Sequence, residues 1–359
     1  MADSVWFNQL EPESLLQAFL THPPEGFYIR PSSLGVPLFE ANFDLLTTVE
    51  APLRQRVMGL PFYGWWGRWL KPRTCFVGST VSEYVIFPKG ETSALLMAQL
   101  RKSVAPHFPF LIIKDIPQQS PLLDTRANGY AEALVTNAKQ TGFVMVEGQA
   151  LAWVPIDFTS EDEYLEHLSA GRRKDIRRKL RKRENLEISE LATGSNVFND
   201  AAVLDEYYRL YLNVFAQSEI HFDKLTREFF MAILQDSSNG GVVFTYRLAG
   251  RLIGYNLCFC HDGRLVDKYI GLEYPEAREN NLYFVSWFHN LDYARRRGLS
   301  QYVAGWTDPE VKASLGAQFT FTRHAVFIRN PLLRIILQRL SSLFESDRKW
   351  REEYEREKA

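Results

Sequence analysis

The stretch that decides the fold runs from Val242 to Gly305. It opens with Val242-Val243-Phe244-Thr245-Tyr246-Arg247-Leu248, turns at Ala249-Gly250-Arg251, and continues through Leu252 to Cys260. A second turn, His261-Asp262-Gly263-Arg264, leads into Leu265 to Glu273. The runs alternate or mix aromatic and aliphatic residues, and Asp262-Gly263 is a hairpin signal, so three meandering strands are predicted. After a break at Tyr274-Pro275-Glu276, Leu282, Val285, Phe288, Leu291 and Ala294 recur every three residues. That spacing predicts a helix from about 281 to 297. Gly298 stands at its C-terminal cap, behind three arginines that suit the negative end of the helix dipole. Ser300 to Gly305 predicts one more strand. The order is α/β, with mixed sheets.

The flanks narrow the reading. Upstream lies Leu168-Ser169-Ala170-Gly171-Arg172-Arg173-Lys174-Asp175-Ile176-Arg177-Arg178-Lys179-Leu180, and nine of the twelve residues from Arg172 to Arg183 are basic. Downstream lies Ala304-Gly305-Trp306-Thr307-Asp308-Pro309-Glu310-Val311-Lys312-Ala313-Ser314-Leu315-Gly316. A meander, a helix and a strand, with a basic helix before and a "G…K…G" segment after, resemble the core of a GNAT-type acyltransferase. They resemble most the FemAB-like (BioF-like, "predicted N-acyltransferase") branch. The resemblance is good over roughly 155–335 and holds in outline before that. It implies tandem GNAT-like domains, 1–155 and 156–330, with a C-terminal helix over 331–359. It implies transfer of an acyl or aminoacyl group from a thioester donor, acyl-CoA or acyl-carrier protein, to a small-molecule amine. The alternatives are tRNA-dependent aminoacyl transfer of FemAB type, or a non-catalytic GNAT-fold module that binds an anionic ligand.

The resemblance also assigns residues. A GNAT-type core holds its donor where two central strands splay at a bulge, and the next helix offers free N–H groups to a pyrophosphate. The bulge is expected in Ile270-Gly271-Leu272-Glu273-Tyr274 and the cradle in Ala277 to Leu282. Ile270, Gly271, Leu272, Arg278, Asn280 and Asn281 are then the cofactor-binding residues. The glycine-rich loop of acetyl-CoA binders is missing, and Glu276 and Glu279 bring negative charge, which argues against acetyl-CoA itself. FemAB-like enzymes often lack that loop, and some draw the acyl group from aminoacyl-tRNA. Asp267 and Tyr269 are the catalytic candidates on the strand, sharing a face with Glu273 by the two-residue period. An ion pair for Asp267 and packing for Tyr269 are the plainer readings. His221, which titrates near neutrality, is a third candidate, against a surface or cap role in which Asp223 caps the next helix. Lys312 matches the lysine of the family segment and would bind a substrate phosphate or carboxylate, against a solvated helix lysine. Arg172, Lys174 and Trp306 complete the substrate-binding set. His324 is a weaker candidate.

Composition bounds the rest. The 359 residues suit two domains. The formal net charge of -1 excludes a general polyanion binder and argues against DNA, so basic function must be local. The three cysteines read as reduced, buried residues of a cytoplasmic protein, and no Cys–His spacing suggests a metal. The start, Met1-Ala2-Asp3-Ser4-Val5-Trp6, lacks a secretory pattern, and no apolar run is long enough to span a bilayer. Phe62-Tyr63-Gly64-Trp65-Trp66-Gly67-Arg68-Trp69 reads as a core plug, a lid or a membrane-facing loop. The helix from Pro331 to Lys358, strongly apolar through Phe344, reads as a packed helix or as a membrane-surface one.

Overall fold

A computed structural model describes residues 5–46, 51–218 and 221–340. The chain forms two compact units: Met1–Gln9, Glu25–Ala150 and Thr320–Ala359 in one, Leu10–Pro24 and Leu151–Phe319 in the other.

In the first unit β1 (Trp6–Phe7) comes first, and α1 (Glu13–Thr21) is lent to the second unit. β2 (Tyr28–Arg30), β3 (Leu38–Asn42) and β4 (Arg73–Val77) form an antiparallel meander, with α2 (Ala51–Met58) and α3 (Tyr63–Trp66) between the last two. β5 (Phe87–Pro88) pairs with β1. α4 (Ser93–Gln99) leads to β6 (Phe110–Gln118), which runs parallel to β4 from Thr74 opposite Phe110 to Val77 opposite Ile113. α5 (Thr125–Gln140) is capped by Asp124, which accepts from Ala127 N at 2.6 Å, and is followed by β7 (Val144–Pro155). The core gathers Leu96 and Leu100 near α4, Leu111 and Ile113 of β6, and Leu134 and Ala138 of α5. Each fully buried leucine or isoleucine contributes about 1.5–3 kcal/mol.

The second unit repeats that order at greater length. α6 (Glu161–Glu166), α7 (Ala170–Leu180), β8 (Glu187–Ala192), α8 (Ala201–Gln217) and α9 (Arg227–Gln235) precede the central meander. The meander is β9 (Gly241–Leu248), β10 (Arg251–His261) and β11 (Arg264–Leu272). Both hairpin turns carry positive φ at their two central residues: Ala249 at 49° and Gly250 at 77°, Asp262 at 47° and Gly263 at 74°. This is the twist that suits a two-residue hairpin, which the Asp-Gly pair predicts. α10 (Glu276–Glu279) and α11 (Leu282–Arg296) follow. Gly298, at φ 63°, ends α11, and Leu299 N reaches back to Ala294 O at 2.9 Å. β12 (Gln301–Gly305) and α12 (Pro309–Ser314) close the unit. β13 (Gln318–Ile328) then pairs antiparallel with β6, and α13 (Pro331–Leu340) leaves it.

The strand order is β2-β3-β4-β6-β13-β7 in the first unit and β7-β12-β11-β10-β9-β8 in the second. Meander, helix and parallel strand occur in each, so the fold is a tandem of GNAT-like mixed α/β units. The division differs from 1–155 and 156–330. α1 packs on α9, which places 10–24 with the second unit, and β13 returns residues from 320 onward to the first. α6 and α7 are separate helices, because Ser169 turns extended and caps α7 by accepting from Arg172 N. Thr226, not Asp223, caps α9. The C-terminal helix is described to Leu340; its expected continuation to Lys358 lies outside the described residues.

The first unit has a buried polar cluster of its own. β6 bulges against β13, where Lys114 and Asp115 face His324 alone. Asp115 sits at φ 57°, pairs with Lys114, and donates its amide to His324 Nδ1 at 3.0 Å. Burial holds His324 below the ordinary histidine value of 6.5, against the opposite pull of Asp115, and burial lowers His289 in the second unit likewise. The folded chain keeps both neutral, so the unfolded chain binds more protons as pH falls through about 6.5. Stability should be level above that value and decline steadily as pH falls towards about 5. A melting series over that range checks this; a melting point that stays flat below 6.5 would contradict it.

Candidate active site at the parting of two strands

β11 and β12 run parallel for three residue pairs only: Arg264 with Gln301, Leu265 with Tyr302, Val266 with Val303. Beyond Val266 the β12-facing edge of β11 has no strand partner among the described pairings. On its other edge β11 pairs with β10, and the register slips there. Leu257 faces Tyr269 and Cys258 faces Asp267, which leaves Lys268 as the extra residue of a bulge. The bulge therefore lies at Lys268, not in Ile270 to Tyr274.

The bulge undoes the expected shared face. Asp267 turns towards α11 and Tyr269 towards α9, where its ring meets Phe229 and Phe230 edge-on at 5.9 and 5.4 Å. An extra residue breaks the two-residue period, which is why Asp267 and Tyr269 separate. Glu273 pairs with Arg209 at 2.6 Å. Lys268 pairs with Glu11, the residue preceding the α1 turn, at 3.6 Å, with both side chains nearly buried.

Asp267, half-buried, sits in a polar network whose other members are buried. Its Oδ1 accepts from Asn256 Nδ2 at 2.6 Å, and its Oδ2 from Tyr302 OH at 2.8 Å and Asn290 Nδ2 at 3.1 Å. Asn290 Nδ2 also meets Asn256 Oδ1 at 2.6 Å, and Cys258 Sγ donates to the same oxygen at 3.3 Å. Asn256, Cys258, Asn290 and Tyr302 are all buried. Burial, then the charge of Asp267, holds the Tyr302 phenol and the Cys258 thiol well above their ordinary values. Both stay protonated, so Tyr302 is a fixed donor and Cys258 is not a thiolate nucleophile. A carboxylate that accepts three charge-assisted hydrogen bonds is a firm anchor.

Lys312 reaches the same place from α12. It is only 4% exposed, so it is no solvated lysine, and its Nζ donates to Ala304 O at 2.6 Å. A Cβ on Gly305 would lie 3.9 Å from Lys312 Nζ and 3.9 Å from Asp267 O, and Gly305 has φ 79°. Those distances are ordinary contacts, so it is the left-handed backbone at 305 that favours glycine where the strands part. At Gly316, φ 98°, a Cβ would come within 2.9 Å of the Tyr164 hydroxyl. Trp306 is half-buried beside Gly305.

The cradle is less open than expected. Asn281 begins α11 at φ 51° with no side-chain cap, so the first-turn amides have no side-chain partner from it. Asn280 is buried and bonds Glu276 O at 2.9 Å. Arg278 bonds Gln217 and lies over the Tyr274 ring at 4.8 Å. Glu276 pairs with Arg251, which keeps its carboxyl below the usual range and offsets its charge. Gly271 is a packing glycine on the α8 side, where a Cβ would meet the Tyr255 ring at 2.2 Å. Ile270 and Leu272 pair with Asn256 and Gly254.

The basic helix α7 packs on α11, with Ile176 and Leu180 buried. Lys179 lies over the ring of Phe284, in the first turn of α11, at 3.7 Å. Asp175 and Asp162 hold Arg178, Lys179 and Arg177. Arg172 and Lys174 are exposed and form no ion pair among the described residues. His221 is exposed, and its ring meets Phe215; no described contact brings it to Asp267 or Lys312.

Asn256, Asn290, Tyr302 and Tyr283 escaped the sequence reading. Tyr283, in the first turn of α11, has a buried hydroxyl with no hydrogen-bond partner among the described residues. Burial raises its pKa, and the charges of Asp308 and Asp267 add to this. The available signal was an asparagine inside each of two apolar runs, Tyr255-Asn256-Leu257 and His289-Asn290-Leu291.

Among structures of similar fold is the C-terminal domain of a protein described as a lysylphosphatidylglycerol synthetase from Agrobacterium fabrum. It has a TM-score of 0.55 at 9% identity, over 93% of this chain and 96% of that one. L-PGS from Bacillus licheniformis gives 0.54 at 10% identity, over 93% and 98%. FemX gives 0.51 at 12% identity, over 90% and 97%. No curated protein sequence matches the chain. The family model for FemAB-like proteins, described as peptidoglycan biosynthesis/recognition, matches residues 110–357, well over half of the chain. With the tandem GNAT-like fold and the "G…K…G" segment closing on the parted strands, the chain belongs to the FemAB-like family.

Proposed function

We propose that the protein is an N-acyltransferase that moves an acyl or aminoacyl group from a thioester or ester donor to an amine. The observation that carries this is the parting of β11 from β12 after Val266, with Lys312 and Gly305 beside it. A donor lying along that edge pairs with backbone as an added strand would. The amine nitrogen attacks the carbonyl carbon, the C–N bond forms, and the carbonyl oxygen takes the negative charge. Collapse breaks the C–S or C–O bond, and the leaving group takes a proton while the amine gives one up. The β11 backbone at the parting and the Lys312 Nζ donor supply the field that stabilises the oxyanion. Tyr283, protonated at neutral pH, is the donor to the leaving group. Asp267 acts as a positioning residue that keeps β11 against α11 and β12.

Arg172 and Lys174, exposed on a helix that packs against the start of α11, favour a donor that carries phosphate. Phosphopantetheine thioesters and aminoacyl-tRNA both qualify. The absent glycine-rich loop and the acidic Glu276 and Glu279 favour the second, and tRNA-dependent aminoacyl transfer is the alternative reading.

A melting screen against acyl-CoA of several lengths, free CoA, and charged or uncharged tRNA separates them. Ligand at about one hundred times its dissociation constant adds about 2.7 kcal/mol, a shift of a few degrees. A shift with one acyl-CoA selects the thioester; a shift with tRNA alone selects aminoacyl transfer; no shift removes both. Lys312→Met keeps the aliphatic stem but takes the donor from Ala304 O. It should cost about 1–3 kcal/mol in stability and slow transfer roughly a hundredfold or more. Asp267→Asn puts an amide among donors, so the melting point should fall with activity. Lost activity at an unchanged melting point would instead make Asp267 the base.

A further inference from the structure

One end of the first unit's sheet collects exposed apolar side chains among cations. The strand register decides which elements reach it. Thr74, near the start of β4, lies opposite Phe110 at the start of β6, and Phe110 lies opposite Ile328 at the end of β13. The segment 51–72 therefore enters the sheet where α13 leaves it. The loop between α4 and β6 ties them together: Arg73 donates to His107 O at 3.1 Å and Arg329 to Pro106 O at 3.0 Å.

Segment 51–72 is no core plug. Phe62 is 82% exposed, Trp65 68% and Trp69 71%. Nor is it a loose loop, because its inward side is built. Trp66 Nε1 donates to Pro61 O at 2.9 Å, and its ring meets Tyr63 edge-on at 5.1 Å. Gly67 admits the Tyr63 ring, 2.9 Å from where a Cβ would stand. That platform turns Trp65 and Trp69 outward, with the Arg68 guanidinium over both rings at 5.8 and 5.7 Å. α13 repeats the pattern: Leu332 is 70% exposed and Ile336 50%.

The charge is one-sided. Residues 51–73 hold five basic side chains and no acidic one, and 331–340 hold two and none, in a chain whose net charge is -1. Among the described residues Asp44 pairs with Lys71 and Glu40 with Arg30. Among the described residues no helix is long and apolar enough to cross a membrane.

We propose that this end of the first unit binds the surface of an anionic lipid bilayer. Indole rings seat at the boundary of headgroups and acyl chains, with the N–H in the polar layer. Arginine and lysine around them meet the lipid phosphates. Two elements distant in sequence share this composition and one end of the sheet, which a planar, negatively charged surface matches. The inference is independent of the transfer chemistry.

The test is flotation of the full chain with phosphatidylcholine vesicles, with and without phosphatidylglycerol. The wild type should float with anionic vesicles at low salt, less so at high salt, with a blue shift in tryptophan emission. Trp65→Ala with Trp69→Ala, and separately Arg54→Gln with Arg56→Gln and Arg68→Gln, should each weaken partitioning roughly tenfold or more. Val197→Ala, an exposed change in the second unit, should leave it unchanged. All these side chains are solvent-facing, so an unchanged melting point shows that the variants fold. No flotation of the wild type with anionic vesicles overturns the proposal, as does equal flotation of the tryptophan variant. A sedimenting dimer that this variant dissolves, without vesicle binding, gives the patch to a second copy of the chain.

Discussion

The second unit is organised around one half-buried carboxylate and the groups that satisfy it. Asp267 sits where β11 leaves the company of β12, beside a bulge that would otherwise weaken the ladder. An ionised group there is tolerable only with its lone pairs filled. Asn256 from β10, Asn290 from α11 and Tyr302 from β12 fill them, so three elements are pinned to a fourth by one side chain. The strands part where the network ends, and Gly305 and Lys312 stand at that point. The opening is thus a consequence of polar bonding in the core, not of a loop that happens to be absent.

This arrangement suits chemistry that needs little from side chains. Acyl transfer to an amine gains most from orientation and from fixed dipoles aimed at the developing oxyanion. Strand backbone at the parting, a helix start and a buried lysine donor are such groups, and none requires a nucleophilic triad. The buried thiol of Cys258 is consistent with this: it serves as a donor within the network, with its pKa raised by burial.

The first unit solves a related problem differently. Its β6 also carries an aspartate at a bulge, Asp115, but there Lys114 and the Thr322 hydroxyl meet the carboxylate, while the Asp115 amide donates to His324. A histidine that accepts a backbone hydrogen bond must stay neutral, which ties this unit's stability to pH in a way that asparagine and tyrosine do not. The two units share an order of elements and differ in what these carboxylates hold.

The meander, its Asp-Gly turn and α11 with its Gly298 cap were all legible in the sequence. Local patterns carry them: a two-residue period, a near-helical period, and glycine where φ must be positive. The tandem order and the family also followed from one chain read in order. The candidate site was legible only at Lys312 and at Asp267. A single extra residue at Lys268 reverses the strand faces, and nothing in the letters marks a bulge. Asn256 and Asn290 are 34 residues apart and read as minor breaks in apolar runs until the fold sets them against one carboxylate. The exposure of Trp65 and Trp69 was likewise undecided, because tryptophan suits a core as well as a surface. Local period is written in neighbouring residues; which polar groups must share one carboxylate, and which aromatics find no cover, depends on contacts between segments distant along the chain.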